Sequence, residues 1–280
     1  MFKSNTPYLL FGNPIHQSKS PIIYQLFSKD TNIHLKYDTY CIKSDDSFSK
    51  IIIDFFNHQG KGANITVPFK EQAYFLPNIL TERAKISHSI NVLKKLHDNK
   101  ILGDNTDGVG CLYDLKRLNF IHTENKILLI GAGGAARGII PSLLSLPCSI
   151  DIVNRTFERA KKLENLFKNI GNIRAIDVSS LKKLNYHLVI NATSFEKNEN
   201  FDFFLSNIIL YPARTFFYDI CYCDNITPFL FWCKNNGAIY YSDGIGMLVS
   251  QAAYSFYLWN NIFPKVDKII QILNKKKKYL

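Results

Sequence analysis

The chain has 280 residues, 46% of them hydrophobic, and an excess of Lys and Arg gives it a formal net charge of +11. That is room for two domains or one large one with an ordinary buried core, and no run approaches the ~18 consecutive apolar residues of a membrane span. Six scattered cysteines without CxxC pairs, and seven histidines without an HExxH-like cluster, argue against a disulfide scaffold or a metal centre. Cys221 and Cys223 would supply one ligand pair with no second.

The first residues, Met-Phe-Lys-Ser-Asn-Thr-Pro, lack the apolar core of a signal peptide, so a cytoplasmic protein is expected. Short apolar runs then alternate with helical patterns almost throughout, which predicts an α/β architecture with a largely parallel sheet. Strands are expected at Tyr8 to Phe11, Lys36 to Cys41, Gly62 to Ile65, Ile90 to Leu93 and Lys100 to Leu102, with helices at Pro21 to Phe27, Ser47 to Gln59 and Phe69 to Ala73. Ser20 stands at a natural N-cap with Pro21 at the first helical position. A helix from Gly108 to Leu118 follows.

From Lys126 to Gly138 an apolar run ends in a glycine-rich turn that opens an Ala-rich helical pattern. Gly131, Gly133 and Ala136 fit G-x-G-x-x-G/A: a tight turn, a close approach for a pyrophosphate, and a small residue where helix packs on strand. With Ala132, Gly134 and Ala135 they would hold phosphates on the helix N-terminus, where unpaired N–H groups and the helix dipole favour anions. The next strand, Ser149 to Val153, ends in Asn154, Arg155 and Thr156, about where an NAD site puts an acidic residue for the ribose 2′-hydroxyl. Arg155, with Arg159 at i+4, and the Thr156 hydroxyl suit a 2′-phosphate instead, which points to NADP.

Later strands are expected at Leu188 to Asn191, Thr215 to Ile220 and Ala238 to Tyr241, and helices at Met247 to Trp259 and Val266 to Leu273 around a break at Pro264. Because the glycine loop begins in mid-chain, a separate domain precedes it, with a substrate site expected between the two. The +11 charge invites a nucleic-acid reading. Its one dense run, Lys275 to Lys278, lies at the C-terminus, however, and no nucleic-acid-binding signature accompanies it.

Several motifs together carry a family likeness. Ser18-Lys-Ser20-Pro, Gly62-Ala-Asn64-Ile-Thr66-Val-Pro-Phe-Lys70, Gly103-Asp-Asn-Thr-Asp107-Gly, the glycine loop, Asn154-Arg155-Thr156, and Gly244-Ile-Gly-Met247 running on to Gln251 resemble the shikimate dehydrogenase family in order and spacing. The resemblance implies NADPH-dependent reduction of 3-dehydroshikimate to shikimate. It also implies a discontinuous substrate domain (1–106 and 242–280) around a Rossmann-type NADP domain (107–241). The expected partners are small molecules, with no nucleic acid and no membrane, and the protein a monomer or homodimer.

The resemblance makes Lys70 and Asp107 the catalytic pair. Ketone reduction develops negative charge on oxygen and needs a proton donor and a cation there. Taken singly, Lys70 also fits a solvated helix start and Asp107 a helix N-cap. Ser18 and Ser20 would take the substrate carboxylate, or simply cap a helix. By the same resemblance Asn64, Thr66, Asn91 and Gln251 would bind ring substituents, Tyr222 would reach the carboxylate, and Thr193, Gly244 and Met247 would line the cofactor. Turn roles for Asn64 and Asn91, and a half-buried core position for Tyr222, are the alternatives. Phe195 to Asn200 replace the small residues and Gly usual in the family, and Val92 stands where Thr is common. A quinate dehydrogenase using NAD, or a ligand sensor without catalysis, are the rival readings.

Overall fold

The computed structural model describes residues 6–43, 46–181, 185–193 and 213–275. It divides into two compact units, Met1–Gly110 with Leu248–Gln271 and Cys111–Met247 with Ile272–Leu280.

The first unit contains β1 (Tyr8–Gly12), α1 (Ser20–Thr31), β2 (Tyr37–Cys41), α2 (Phe48–His58), β3 (Gly62–Ile65), β4 (Ile79–Leu80), α3 (Glu82–Ser87), β5 (Val92–Lys95) and β6 (Ile101–Asp104). Their sheet runs β2-β1-β3-β5-β6-β4. β1 is parallel to β2 and β3, and β4 to β6, but β5 is antiparallel to both its neighbours. The sheet is largely parallel as expected, and β5 and β6 run antiparallel because residues 96–100 are too few for a crossover helix and turn back as a hairpin. Phe48, Ile52, Phe55 and Phe56 recur at helical spacing on α2 and pack into a core with Leu9, Phe11, Ile65 and Leu93.

The helix expected at Phe69 to Ala73 is instead a turn followed by a 3₁₀ segment, Gln72–Phe75. Only eight residues separate Pro68 from Pro77, and a short stretch of this kind is commonly spent in tight i→i+3 turns.

The chain continues through α4 (Asp107–Arg117), β7 (Lys126–Ile130), α5 (Gly134–Leu144), β8 (Ser149–Val153), α6 (Phe157–Phe167), β9 (Asn172–Ala175), β10 (Leu188–Asn191), β11 (Phe216–Asp219), α7 (Pro228–Asn235), β12 (Tyr240–Asp243), α8 (Ile245–Asn260) and α9 (Val266–Asn274). The second sheet, β12-β11-β10-β7-β8-β9, is parallel at every pairing. This is the doubly wound order 3-2-1-4-5-6 with β7 as strand 1, and its order reverses between β7 and β10, where ligands bind beyond the strand C-termini. Ile127 and Leu129 of β7 face one core cluster and Leu128 and Ile130 another, so both faces of the sheet are covered.

The division between units falls after the expected boundaries at 106/107 and 241/242. β12 is hydrogen-bonded to β11 and so carries 242 and 243 with the second sheet, whereas the Asp107 side chain is bonded within the first unit. No helix among the described residues is long and apolar enough to cross a membrane.

Candidate active site

Lys70 lies just after β3, where Phe69 N–H closes a turn on Thr66 O (3.0 Å) and Ile90 N–H bonds Lys70 O (2.9 Å). With its backbone so held, its Nζ donates to Asp107 Oδ2 at 2.6 Å, and the two side chains are 13% and 4% exposed. Lys70 is thus no solvated helix start. Asp107 is the first residue of α4 rather than its cap: its own N–H donates to Asn105 Oδ1 (3.0 Å), and its carboxylate is left for Lys70 and for Asn91 Nδ2 (2.9 Å).

Asn91 Nδ2 also lies 3.0 Å from Thr106 Oγ1 and 3.1 Å from Gln251 Oε1. Three acceptors share an amide with two hydrogens. The Thr106 hydroxyl can itself donate to Gln251 Oε1 (3.4 Å), and the Asp107 and Gln251 oxygens each keep a second lone pair for a hydroxyl from outside. Gln251 is brought in by Gly110, since a Cβ there would lie 2.6 Å from Gln251 N and 2.7 Å from its Cβ.

Asn64 behaves differently. Its Oδ1 accepts the phenol hydroxyls of Tyr24 and Tyr37, both at 2.8 Å, and its Nδ2 donates to Asn91 O (3.2 Å) and Ser255 Oγ (3.1 Å). All four places on the amide are filled by protein, so any ligand contact requires exchange of one of these bonds. Thr66 is half-buried at the end of β3, its N–H on Phe11 O (2.9 Å).

Ser20 is not an N-cap. Lys19 holds that position without a side-chain cap bond, Ser20 begins α1, and its N–H and hydroxyl lie 3.2 and 3.1 Å from Ser18 Oγ.

In the second unit Gly131 follows β7 with φ of 107°, and a Cβ there would lie 2.9 Å from Ala192 O and 2.7 Å from Thr193 Cγ2. Only glycine takes this turn without strain. Gly133 is the N-cap residue of α5, and a Cβ built on it would meet nothing within 4 Å. Gly134 and Ala135 open the helix half-buried beside half-buried Ala132, while Ala136 is fully buried against the sheet. Open space at a helix N-terminus beside the switch point fits a pyrophosphate.

Asn154, at the end of β8, bonds Thr156 O through Nδ2 (2.9 Å), and Thr156 is the N-cap residue of α6 without a side-chain cap bond. Arg155 lies in the bend before that helix and Arg159 in its first turn, so the pair is not one helical face at i+4 as expected. Both side chains are exposed, and no acidic residue stands among 154–156. These residues fit a 2′-phosphate.

Thr193 donates N–H (3.2 Å) and Oγ1 (2.6 Å) to Asn191 Oδ1. Tyr222 is half-buried in the turn after β11, and Gly244 N–H bonds Cys221 O (3.0 Å). Met247 is buried in the core cluster that holds Leu115 and Tyr218. Burial, and then nearby Asp219, pushes the Cys221 thiol up to about 12. No group of three or more His, Cys, Asp or Glu fit to hold a metal occurs among the described residues. The Phe195 to Asn200 segment and Lys276 to Lys278 lie outside the described residues.

Sequence reasoning missed Asn105, Thr106 and Ser255, all of them buried. The first two stand inside a quoted motif, and a run of four polar residues, Asp104 to Asp107, at a strand end was the signal. It also missed the clamp behind them, in which Arg83 pairs through two nitrogens with buried Asp104, whose Oδ1 accepts Asn105 N–H at 2.7 Å.

Residues 10–93 match the family model for the shikimate dehydrogenase substrate binding domain, and residues 115–228 that for shikimate / quinate 5-dehydrogenase. A shikimate dehydrogenase (NADP(+)) of Buchnera aphidicola subsp. Baizongia pistaciae is 51% identical over 273 residues, 96% of each chain. This chain belongs to the shikimate dehydrogenase family. A second such relative, from Buchnera aphidicola subsp. Schizaphis graminum, is 50% identical over 96% of this chain and 97% of its own. Among solved structures, an Ael1 enzyme from Pseudomonas putida superposes with a TM-score of 0.84 at 33% identity, over 95% of this chain and 97% of that one. Shikimate dehydrogenase from Aquifex aeolicus does so with a TM-score of 0.82 at 26% identity, over 99% and 100%.

Proposed function

We propose that this chain is an NADP-dependent oxidoreductase that reversibly reduces 3-dehydroshikimate to shikimate, a step towards the aromatic amino acids. The single observation that carries the mechanism is the buried Lys70–Asp107 pair at 2.6 Å, bonded on through Asp107 Oδ1 to Asn91. Curated relatives of near-equal length, about half identical, carry the same activity in their names.

Bound NADPH supplies the hydride. As the substrate carbonyl oxygen becomes negative, Lys70 Nζ delivers a proton to it, and its hydrogen bond to Asp107 Oδ2 holds it aimed until then. In the reverse direction Lys70 takes that proton back. Asp107 Oδ1 and Gln251 Oε1 accept ring hydroxyls when Asn91 Nδ2 turns from one to the other, Thr66 and Asn64 complete that wall, and Ser18, Ser20 and Tyr222 take the carboxylate.

The first unit is then the substrate-binding and catalytic domain and the second the NADP domain. Gly131, Ala132, Gly133, Gly134 and Ala135 hold the pyrophosphate, Asn154, Arg155, Thr156 and Arg159 the 2′-phosphate, and Thr193, Gly244 and Met247 the remainder. The protein is cytoplasmic, a monomer or homodimer, and its +11 charge serves small anions; nucleic acid in filter binding at physiological salt is retained weakly and without sequence preference.

The test is NADPH consumption by the purified protein with 3-dehydroshikimate, run beside NADH and beside quinate with NAD. Fast reaction with NADPH alone supports the reading. Equal rates with NADH contradict the cofactor assignment, and faster quinate oxidation with NAD replaces the substrate assignment.

A further inference from the structure

One buried carboxylate has no part in this chemistry. Asp219, the last residue of β11, is 2% exposed. Its Oδ1 accepts Asn191 Nδ2 and Cys221 N–H, both at 3.0 Å, and its Oδ2 accepts the Thr227 hydroxyl at 2.6 Å. Each donor holds something further. Asn191 Oδ1 takes both the N–H and the hydroxyl of Thr193, Cys221 O takes Gly244 N–H, and Thr227 caps α7 by accepting Leu230 N–H at 3.3 Å. Cys221 Sγ closes a ring by donating to Thr193 O at 3.3 Å.

Burying a carboxylate on neutral donors is costly. Burial pushes Asp219 up to about 7 even though all three bonds pull it down. What the arrangement gains is position. Thr193 lies directly against the Gly131 turn, and the loop carrying Tyr222 starts at the Cys221 N–H that Asp219 holds. Arg155, in the bend after β8, marks the adenosine side of a dinucleotide. The β10–β11 edge, across the switch point from it, therefore faces the nicotinamide side.

We infer that Asp219 is a positioning residue for the nicotinamide half of the cofactor site, fixing Thr193 through Asn191 and the Tyr222 turn through Cys221. The inference rests on the NADP reading above. Losing a positioned contact of ~1.4 kcal/mol is a tenfold effect.

The experiment compares Asp219→Ala with the unaltered protein for binding of NADPH and of 2′,5′-ADP, which carries the adenosine half only. Asp219→Ala should weaken NADPH at least ~tenfold and lower kcat, while 2′,5′-ADP binds as before. Asp219→Asn should restore both properties, because its amide can still accept from Asn191 and Cys221 and donate to Thr227. If Asp219→Ala does not fold, Asn191→Ala cuts the same relay one bond later and should show the same split. Unchanged NADPH binding, or equal loss of both ligands in a folded variant, overturns the inference. An unaltered protein that binds neither ligand overturns the NADP reading and the inference with it.

Discussion

In the first unit the candidate site is made of side chains bonded to one another: Lys70 to Asp107, Asp107 to Asn91, and Asn91 to Thr106 and Gln251. In the second it is made mainly of backbone, a positive-φ glycine and a helix N-terminus with open space before it, flanked by exposed arginines. Reaction chemistry needs charges held at fixed places before the transition state forms, and a closed network of buried side chains supplies that. Binding a long polyanion needs many N–H donors and clearance, which backbone supplies without rotamer entropy. The first site should therefore fail mainly in turnover when altered and the second mainly in affinity.

The largest expected effect comes from breaking the first network at its charged end. Lys70→Ala should lower kcat by ~100- to 10,000-fold, the worth of general acid help, with substrate binding little changed. Asp107→Asn should also lower kcat but weaken substrate binding more visibly, because an acceptor is lost with the charge. Steady-state rates and equilibrium binding, with circular dichroism to confirm folding, read both. A Lys70→Ala protein with near-normal kcat would move the proton donor elsewhere and erase the contrast between the units.

A smaller effect sharpens the other side. Arg155→Ala should raise the KM for NADP by the ~1.5 to 3 kcal/mol of a charge-assisted contact, leaving kcat and the KM for NAD nearly unchanged. Equal changes for the two cofactors would place Arg155 away from the 2′-phosphate.

The smallest is thermodynamic. Because Asp219 is raised to about 7 from an ordinary value near 3.8, the folded state holds its proton more tightly than the unfolded one. Its contribution to stability is fully present below pH ~4 and is lost as pH rises towards ~7. Asp219→Asn removes that loss, so its Tm relative to the unaltered protein should rise between pH 4 and pH 8. A gain of about 1 kcal/mol would read as roughly 2–4 °C. A difference in Tm that stays flat with pH would mean that Asp219 titrates normally.

The second unit was the more legible in the sequence. Its central strands β7 and β10 are nearly continuous apolar runs because both sheet faces are covered, and the glycine spacing announces a turn that only glycine takes without strain; edge strand β9, Asn-Ile-Arg-Ala, carries no such run and was not expected. The first unit hid more. β4 has only two residues, too short for any periodicity, and α3 has few apolar positions beyond its Thr81 cap. Lys70 and Asp107 were legible through motifs, but not Asn105 accepting the Asp107 N–H at the helix start, since which of two Asx side chains two residues apart turns back on the helix depends on the other's partner. The saturation of Asn64 by Tyr24 and Tyr37 was equally out of reach, because those partners lie 40 and 27 residues away in the chain. α7 repeats the Ser/Thr-Pro start signal at Thr227-Pro228 and could have been read from it.

The most direct test of the account is isotope transfer. With NADPH carrying deuterium at the transferable position, the unaltered protein should convert 3-dehydroshikimate into shikimate bearing one deuteron on the new carbinol carbon. Product without deuterium on that carbon, or no product at all, would contradict it.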